Sequence, residues 1–415
     1  MITVDAALAL IRARCAALPG EAVPLADAEG RVLAATVHAC RALPPFDNSA
    51  MDGFAVRWHA SLGEGSVLPV AGEQAAGDGA CTLADGACHI MTGAMMPVGA
   101  DTVVPVEQAT VLTRDPGGRP LSIRLEASPE RGQHVRLAGQ DVPDGSAVLH
   151  AGTRLGAEAL MVLRGVGVAE VTAYRRPRVA LACTGRELVA TDGASLAPGQ
   201  ITDTNGPYLG WLLQRFGAEL VARVTVPDAP DALVDAVRTW EAAGVDLVIS
   251  TGAVSMGRYD FVPEVLQALG GTIVFHKVAM RPGKPLMFAS LPGGALFFGL
   301  PGNPVSSAVG ARFFVGAALR RLQGLDDERA WSLPLAKAIH KKAGVRVIQK
   351  ASLRLGVDGC VHAEPTPGQE SFRIAPMLQA RAWVHLPDAA GALAAGITVP
   401  VYPADPLLDT LFSGD

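Results

Sequence analysis

Between Arg178 and Leu322 short apolar runs alternate with helical stretches, and that alternation restricts the segment to very few folds. Apolar runs fall at 178–183, 218–226, 245–250, 272–278, 286–291 and 295–299. Helical periodicity occupies about 205–216, 230–243 and 260–269, and a last helix runs from Val305 to about Leu322. Strands separated by helices imply a mostly parallel sheet with helices on both faces. Such sheets collect ligands at the carboxyl ends of their strands. The loops expected there are rich in glycine or proline: Ser250–Gly257, then Arg281-Pro282-Gly283-Lys284-Pro285, then Pro301-Gly302-Asn303-Pro304. A strand ending in Gly and Ser ahead of a helix presents backbone N–H groups and a positive dipole end, which suits phosphate or another oxyanion.

The flanking segments read differently. Residues 4–18 have helical periodicity with Thr3 as N-cap. From Pro44 to about Gly139 short runs (Gly53–Val56, Ala87–Met91, Thr102–Val106) alternate with Gly- and Pro-rich turns, as in a mainly β domain. Arg154–Leu163 reads as helix and Val166–Val171 as an apolar run. After Asp327 the period-two pattern returns at Val345–Leu353, Ala382–Leu386 and Val399–Tyr402, predicting a small terminal β domain. There is no convincing internal repeat.

Composition narrows the function. A net charge of −5 and a pI near 6.0 argue against nucleic acid as partner. The start lacks a signal peptide's basic region and cleavage site, and no apolar run reaches the ~20 residues that span a bilayer. No two of the six cysteines form a C-x-x-C pair, so free thiols in a reducing compartment are the simplest reading. The expectation is a cytoplasmic protein with no membrane partner. The Thr251–Ser255 loop is neither a Walker A loop nor a G-x-G-x-x-G fingerprint, and neither a nucleophile elbow nor H-x-x-x-H occurs.

Carboxylates flank the glycine loops. Glu187 follows the strand-to-turn step Cys183-Thr184-Gly185-Arg186, Asp203 precedes a helix, Asp228 follows a strand ending at Val226, and Asp260 closes the first loop. In the β-rich part, Asp52 lies in the polar turn Asp47–Gly53, and Asp141 in Ala138–Val142. Carboxylates beside anion-holding loops make sense when a phosphate brings a divalent metal, which needs oxygen ligands while the phosphate needs N–H, Lys and Arg. Lys277, Arg281 and Lys284 supply the cations. Each has a bland alternative. Asp203 and Asp260 could be helix caps, Asp47 and Asn48 could hold a turn, and Arg281 and Lys284 could line a solvated loop.

The string Pro45-Phe46-Asp47-Asn48-Ser49-Ala50-Met51-Asp52-Gly53-Phe54-Ala55-Val56 closely resembles the signature of the molybdopterin molybdenumtransferase family, which includes the bacterial MoeA proteins and the gephyrin E domain. Met91–Ala94, Gly139–Asp141, Thr184–Leu188, Asp203–Asn205, Ser255–Gly257, Arg281–Pro285 and Gly299–Pro304 match further family blocks in order. The resemblance implies a multidomain α/β protein. Its parts would be an elongated split first domain (1–45 and 140–176), an inserted mixed α/β, β-rich domain (46–139), a MogA-like three-layer α/β/α domain (177–326) and a C-terminal β-barrel (327–415). It also implies a homodimer with the active site in a cleft between subunits, and a MogA-type adenylyltransferase as a further partner.

The implied reaction takes adenylylated molybdopterin and molybdate as substrates, inserts molybdenum into the dithiolene and releases AMP with a divalent cation, Mg²⁺. Asp52, Asp141, Glu187, Asp228 and Asp260 would be catalytic, with Glu187, Asp228 and Asp260 holding the metal. Thr92, Thr184, Gly185, Thr251, Gly252, Ser255, Gly257, Lys277, Arg281, Lys284, Pro301 and Pro304 would bind substrate anions. The alternatives are a non-catalytic scaffold and the adenylyltransferase step itself; the retained carboxylates oppose the first and the Asp47–Asp52 block the second. The chain departs from the family at Ala253 (usually Gly), Arg186 (usually acidic), Arg281 (Lys in some members) and Gly344-Val345-Arg346. If the loop needs a positive φ at Ala253, the methyl group there costs about 1 kcal/mol.

Overall fold

The computed structural model describes residues 1–191, 193, 195–254 and 261–408. Residues 22–29 and 35–172 form one compact unit, and residues 1–21, 30–34 and those from Ala173 onward form the other.

The larger unit is built on a six-stranded sheet. Arg178–Thr184 lies between Glu219–Val226 and Leu247–Thr251, and Leu247–Thr251 pairs in turn with Leu296–Leu300, all in parallel. Met287–Ser290 and Thr272–His276 extend the sheet antiparallel, so it is parallel on one side and antiparallel on the other. Side chains alternate between two cores, as a strand buried on both faces requires. Val179, Leu181, Leu247 and Ile249 pack with the helix Asn205–Arg215 and the long helix that starts at Pro304. Ala180, Ala182 and Val248 face the opposite way, toward the helices Pro230–Ala242 and Val262–Ala268. Two helical layers around one sheet give the expected three-layer α/β/α domain.

The N-terminal helix covers Val4–Arg12, shorter than the periodicity suggested. Thr3 caps it, its side chain accepting from Ala6 N at 3.2 Å. Val4, Ala7 and Ile11 are buried in the first core, and past Ile11 the chain leaves the helix so that Leu18 N can donate to Leu322 O. Ile2 pairs with Val278 in a parallel bridge.

The last part of this unit is a β domain whose sheet runs through Arg346–Leu355, Ala382–Leu386, Thr398–Pro403 and Trp331–Pro334, with Val361–Pro365 alongside Arg346–Leu355. Met280–Arg281 joins its edge beside Arg346–Val347.

The smaller unit holds a mixed six-stranded sheet ordered Thr102–Pro105, Gly53–Val56, Ala87–Ile90, Val67–Gln74, Pro120–Leu125 and Ala109–Arg114. Its helix runs Ala157–Gly165, beginning after Gly156 instead of at Arg154, because Gly156 is the extended N-cap (φ −102°, ψ −176°). The following strand is Glu170–Tyr174, later than the apolar run implied. Among the described residues no helix is long and apolar enough to cross a membrane.

Candidate active site

The carboxyl edge of the parallel strands brings two of the expected loops together. Thr184, the last residue of its strand, donates from Oγ1 to Thr251 O at 3.0 Å, and both side chains are buried. Gly252 N donates to Leu300 O at 3.0 Å, tying the first glycine loop to the strand ahead of Pro301-Gly302. Gly252 has φ +92°, and a Cβ there would lie 2.6 Å from Thr184 Oγ1 and 2.7 Å from Thr184 O, so only glycine fits. A Cβ on Gly302 would meet Gly252 Cα at 3.7 Å, ordinary contact. Asn205, opening the helix Asn205–Arg215, donates from Nδ2 to Gly302 O at 2.8 Å. Ser307 Oγ donates to Pro301 O.

The basic turn reaches the same helix start. Lys277 N donates to Leu286 O and Val278 N to Lys284 O, folding residues 277–286 into a tight loop. The Cβ that Gly283 lacks would stand 3.4 Å from Ser306 O, in the first turn of the helix from Pro304. Arg281 and Lys284 are exposed and Lys277 is half-buried with φ +75°.

Two carboxylates border this edge. Asp228 Oδ2 accepts from Arg186 N at 3.3 Å. The carboxylate oxygens of Glu187 come within 2.8 and 2.9 Å of where a Cβ on Gly185 would sit. Both residues are exposed and both lie against the Gly185-Arg186 turn. Asp228 is not a helix cap: the cap of Pro230–Ala242 is Ala229, with no side-chain bond. Asp203 is the residue with a capping contact, its Oδ1 accepting from Gly206 N at 2.9 Å while buried. Ser255, Gly257 and Asp260 lie outside the described residues. Among the described residues no cluster of three or more His, Cys, Asp or Glu side chains has metal-holding geometry.

Ala253 does adopt a left-handed conformation, with φ +52°, so the cost expected of its methyl group is present.

In the smaller unit the Asp47–Gly53 turn is an organised hub. Asp47 Oδ1 accepts from Ala138 N at 2.7 Å, and Asn48–Ser49 pairs antiparallel with Val135–Arg136. Gly139 N donates to Pro44 O, and Asp141 N to Leu43 O, so the Gly139–Asp141 block folds back on the segment leading into the turn. Asp52 Oδ1 accepts from both Thr92 N (2.7 Å) and Thr92 Oγ1 (2.8 Å). These bonds, the main-chain one first, hold its carboxyl below the usual aspartate range, with burial opposing and His89 assisting. Gly53 is obligatory: a Cβ would sit 2.1 Å from Val104 O. The Asp141 carboxylate is exposed.

Over 411 residues the chain is 38% identical to the molybdopterin molybdenumtransferase of Synechococcus elongatus, an alignment spanning 97% of this chain and 99% of that one. The chain belongs to the molybdopterin molybdenumtransferase family. This is a family of transferases in molybdenum cofactor biosynthesis. The molybdopterin molybdenumtransferase of Haemophilus influenzae is 34% identical over 94% of this chain and 95% of its own. The MoeA N-terminal region (domain I and II) matches residues 2–167, the "Probable molybdopterin binding domain" residues 180–321, and the MoeA C-terminal region (domain IV) residues 332–404. The crystal structure of the molybdopterin biosynthesis MoeA protein from Pyrococcus horikoshii superposes with a TM-score of 0.78 at 27% identity, covering 97% of this chain and 99% of that one. The expected family architecture therefore holds.

Sequence reading named Asn205 only as the end of the Asp203–Asn205 block, with no role, and did not name Ser371. Asn205 carried a signal, as a polar residue opening a helix. Ser371, whose carbonyl accepts from Val305 N at 3.1 Å, carried none, because its partner is distant in sequence.

Proposed function

We propose that this chain takes molybdenum from molybdate into the dithiolene of adenylylated molybdopterin and releases AMP with a divalent cation. The observation that carries the reading is the convergence of Thr184, Gly252 and Gly302 at one strand edge, with carboxylates on one side and the basic turn meeting the same helix start. Backbone groups of the glycine loops and the Lys277, Arg281 and Lys284 cations would hold substrate phosphate and molybdate, with Thr251, Pro301 and Pro304 shaping the cradle. The exposed oxygens of Glu187 and Asp228 are hard donors that fit Mg²⁺, which supplies charge neutralisation on phosphoryl oxygens when bound. Asp260 belongs to the same proposal from sequence alone. These carboxylates would also orient the water that attacks the phosphoanhydride, so that the P–O bond breaks with AMP as the leaving group.

Asp52, oriented by Thr92, and Asp141 are proposed to serve the site of the partner chain in a cytoplasmic homodimer supplied by a MogA-type adenylyltransferase. Mixed dimers of Asp52→Ala and Lys284→Ala chains should then regain part of the activity that each variant lacks alone; a verified mixed dimer with none would remove the cross-subunit assignment.

The direct test is incubation with adenylylated molybdopterin, molybdate and Mg²⁺, following AMP. Asp228→Asn keeps the shape and removes the charge, so AMP release should fall strongly with little change in melting temperature. An unaltered release rate would refute its catalytic role. Lys284→Ala should weaken pterin-ligand binding about ten- to a hundredfold, the effect of one charge-assisted phosphate contact, as read by calorimetry.

A further inference from the structure

A buried lysine in the C-terminal β domain governs a loop whose apex touches the candidate site. Lys350, on the strand Arg346–Leu355, has no solvent exposure. Its Nζ donates to Gly368 O at 2.8 Å and Arg373 O at 3.0 Å. Its main chain closes the same loop from the other side. Lys350 N donates to Gln369 Oε1 (3.0 Å), and Gln369 Nε2 donates to Lys350 O (2.8 Å) and Thr366 O (2.7 Å). Thr366 N also donates to Lys350 O. Both ends of the segment 366–373 are thus clamped on one residue.

The apex between them reaches outward. Ser371 O accepts from Val305 N, next to Pro304 in the Pro301–Pro304 loop. The apex has little burial of its own to hold it: Phe372 is 66% exposed, and Glu370 pairs with Arg373 at the surface. An ammonium withdrawn from water is unfavourable unless its donors are met. Methionine could fill similar space without that cost, so the charge is best explained by the two carbonyls it ties together. Desolvation pulls Lys350 below the ordinary lysine range, with Glu370 opposing and Arg373 adding to the shift.

We propose that Lys350 is a positioning residue for the candidate active site. It fixes the Gly368–Arg373 loop so that Ser371 O stays on Val305 N–H, and this holds the Pro301–Pro304 loop in the geometry that receives the oxyanion substrate. The substrate side of this inference rests on the function proposed above. Loss of the clamp should loosen oxyanion binding more than it slows chemistry.

The test combines amide hydrogen exchange without substrate and AMP release at varied molybdate, on the full chain carrying Lys350→Met, Lys350→Arg or Gln369→Leu. In Lys350→Met, exchange at Val305 and across 368–373 should quicken about tenfold, and KM for molybdate should rise about tenfold while kcat stays within about twofold. Lys350→Arg should recover most of the loss, because a guanidinium can also donate to two carbonyls. Gln369→Leu opens the same clamp without touching the charge and should move both readouts the same way, which covers a Lys350→Met chain that does not fold. Unchanged exchange at Val305 in the folded variants overturns the proposal, as does a fall in kcat at constant KM, or an arginine variant no better than the methionine one. If the wild-type chain releases no AMP, the functional reading fails, while the exchange data still decide whether Lys350 holds the loop.

Discussion

At Asp52 the structure turns a motif residue into a measurable acid. Its carboxylate takes both polar hydrogens of Thr92, so its pKa lies below 3.8. A carboxyl lowered by folding adds stability that is complete above the unfolded value and disappears as pH falls through the lowered one, here below about pH 4. Thr92→Val keeps the main-chain donor and removes the hydroxyl, so the Asp52 pKa should climb part of the way back toward 3.8. Carboxyl-carbon NMR titration reads this directly, and an unmoved value would mean that the hydroxyl does not bind Asp52. Ala253 offers a second test at this scale. A Cβ at φ +52° costs about 1 kcal/mol, while glycine gives up some of that through unfolded-chain entropy. Ala253→Gly should therefore stabilise by less than about 1 kcal/mol in denaturant titrations; destabilisation would contradict the strain. The motif residues were legible as a contiguous string, but the partners of Asp47, Asp52 and Gly53 (Ala138, Thr92 and Val104) lie far along the chain and no local pattern announces them. An aspartate just before a helix can also be its cap, and for Asp228 only the structure removes that reading, because Ala229 is the cap of Pro230–Ala242 and the Asp228 carboxylate instead accepts from Arg186 N.

The long helix shows where periodicity stops informing. Its apolar pattern predicts one helix from Val305 to Leu322, and the chain is helical from Pro304 to Leu322, but residues Ala311–Val315 form a wider π turn. Buried Arg312 in that turn donates to both carboxylate oxygens of Glu328 and to Pro403 O, partners no local pattern can announce. The neighbouring Phe313 packs edge-on against His385 at 4.4 Å, and Tyr402 lies 4.5 Å from the same imidazole. Burial, with Arg346 and Arg312 adding to it, pushes His385 down to about 3. The unfolded chain then binds a proton near pH 6.5 that the folded chain refuses, so stability is full above 6.5 and is lost as pH falls toward 3. The slope is at most about 1.4 kcal/mol per pH unit. His385→Phe should flatten that loss, which urea titrations at pH 7 and pH 5 would reveal; equal slopes in both proteins would show that His385 does not drive it. Strand direction was partly readable as well. The Pro292-Gly293-Gly294 turn is too short for a parallel crossover, so the antiparallel edge was implicit in the sequence even though the helix alternation suggested a mostly parallel sheet.

For the molecule as a whole, the least legible feature is how its first residues complete a core built mostly from much later ones. Ile2 bridges Val278, Val4 and Ile11 are buried beside Leu181 and Leu319, and Asp5 accepts from both terminal nitrogens of Arg346. Helical periodicity over residues 4–18 showed that this segment needs a partner surface, but sequence carries no record of which one. Deleting residues 2–12 would expose that surface and forfeit roughly 4 kcal/mol from the two large aliphatic side chains. Denaturant unfolding of the larger unit should shift to a lower midpoint, and an unchanged midpoint would show the helix to be dispensable. The same arrangement has a consequence during synthesis. A ribosome adding ~5–20 residues per second needs roughly 15–60 s to go from this helix to its partners near Leu319. Through that interval Val4, Ala7 and Ile11 have at most part of their native surface to cover them, so the nascent chain presents an incompletely covered apolar stripe that chaperones can shield until the helix ending at Leu322 leaves the exit tunnel.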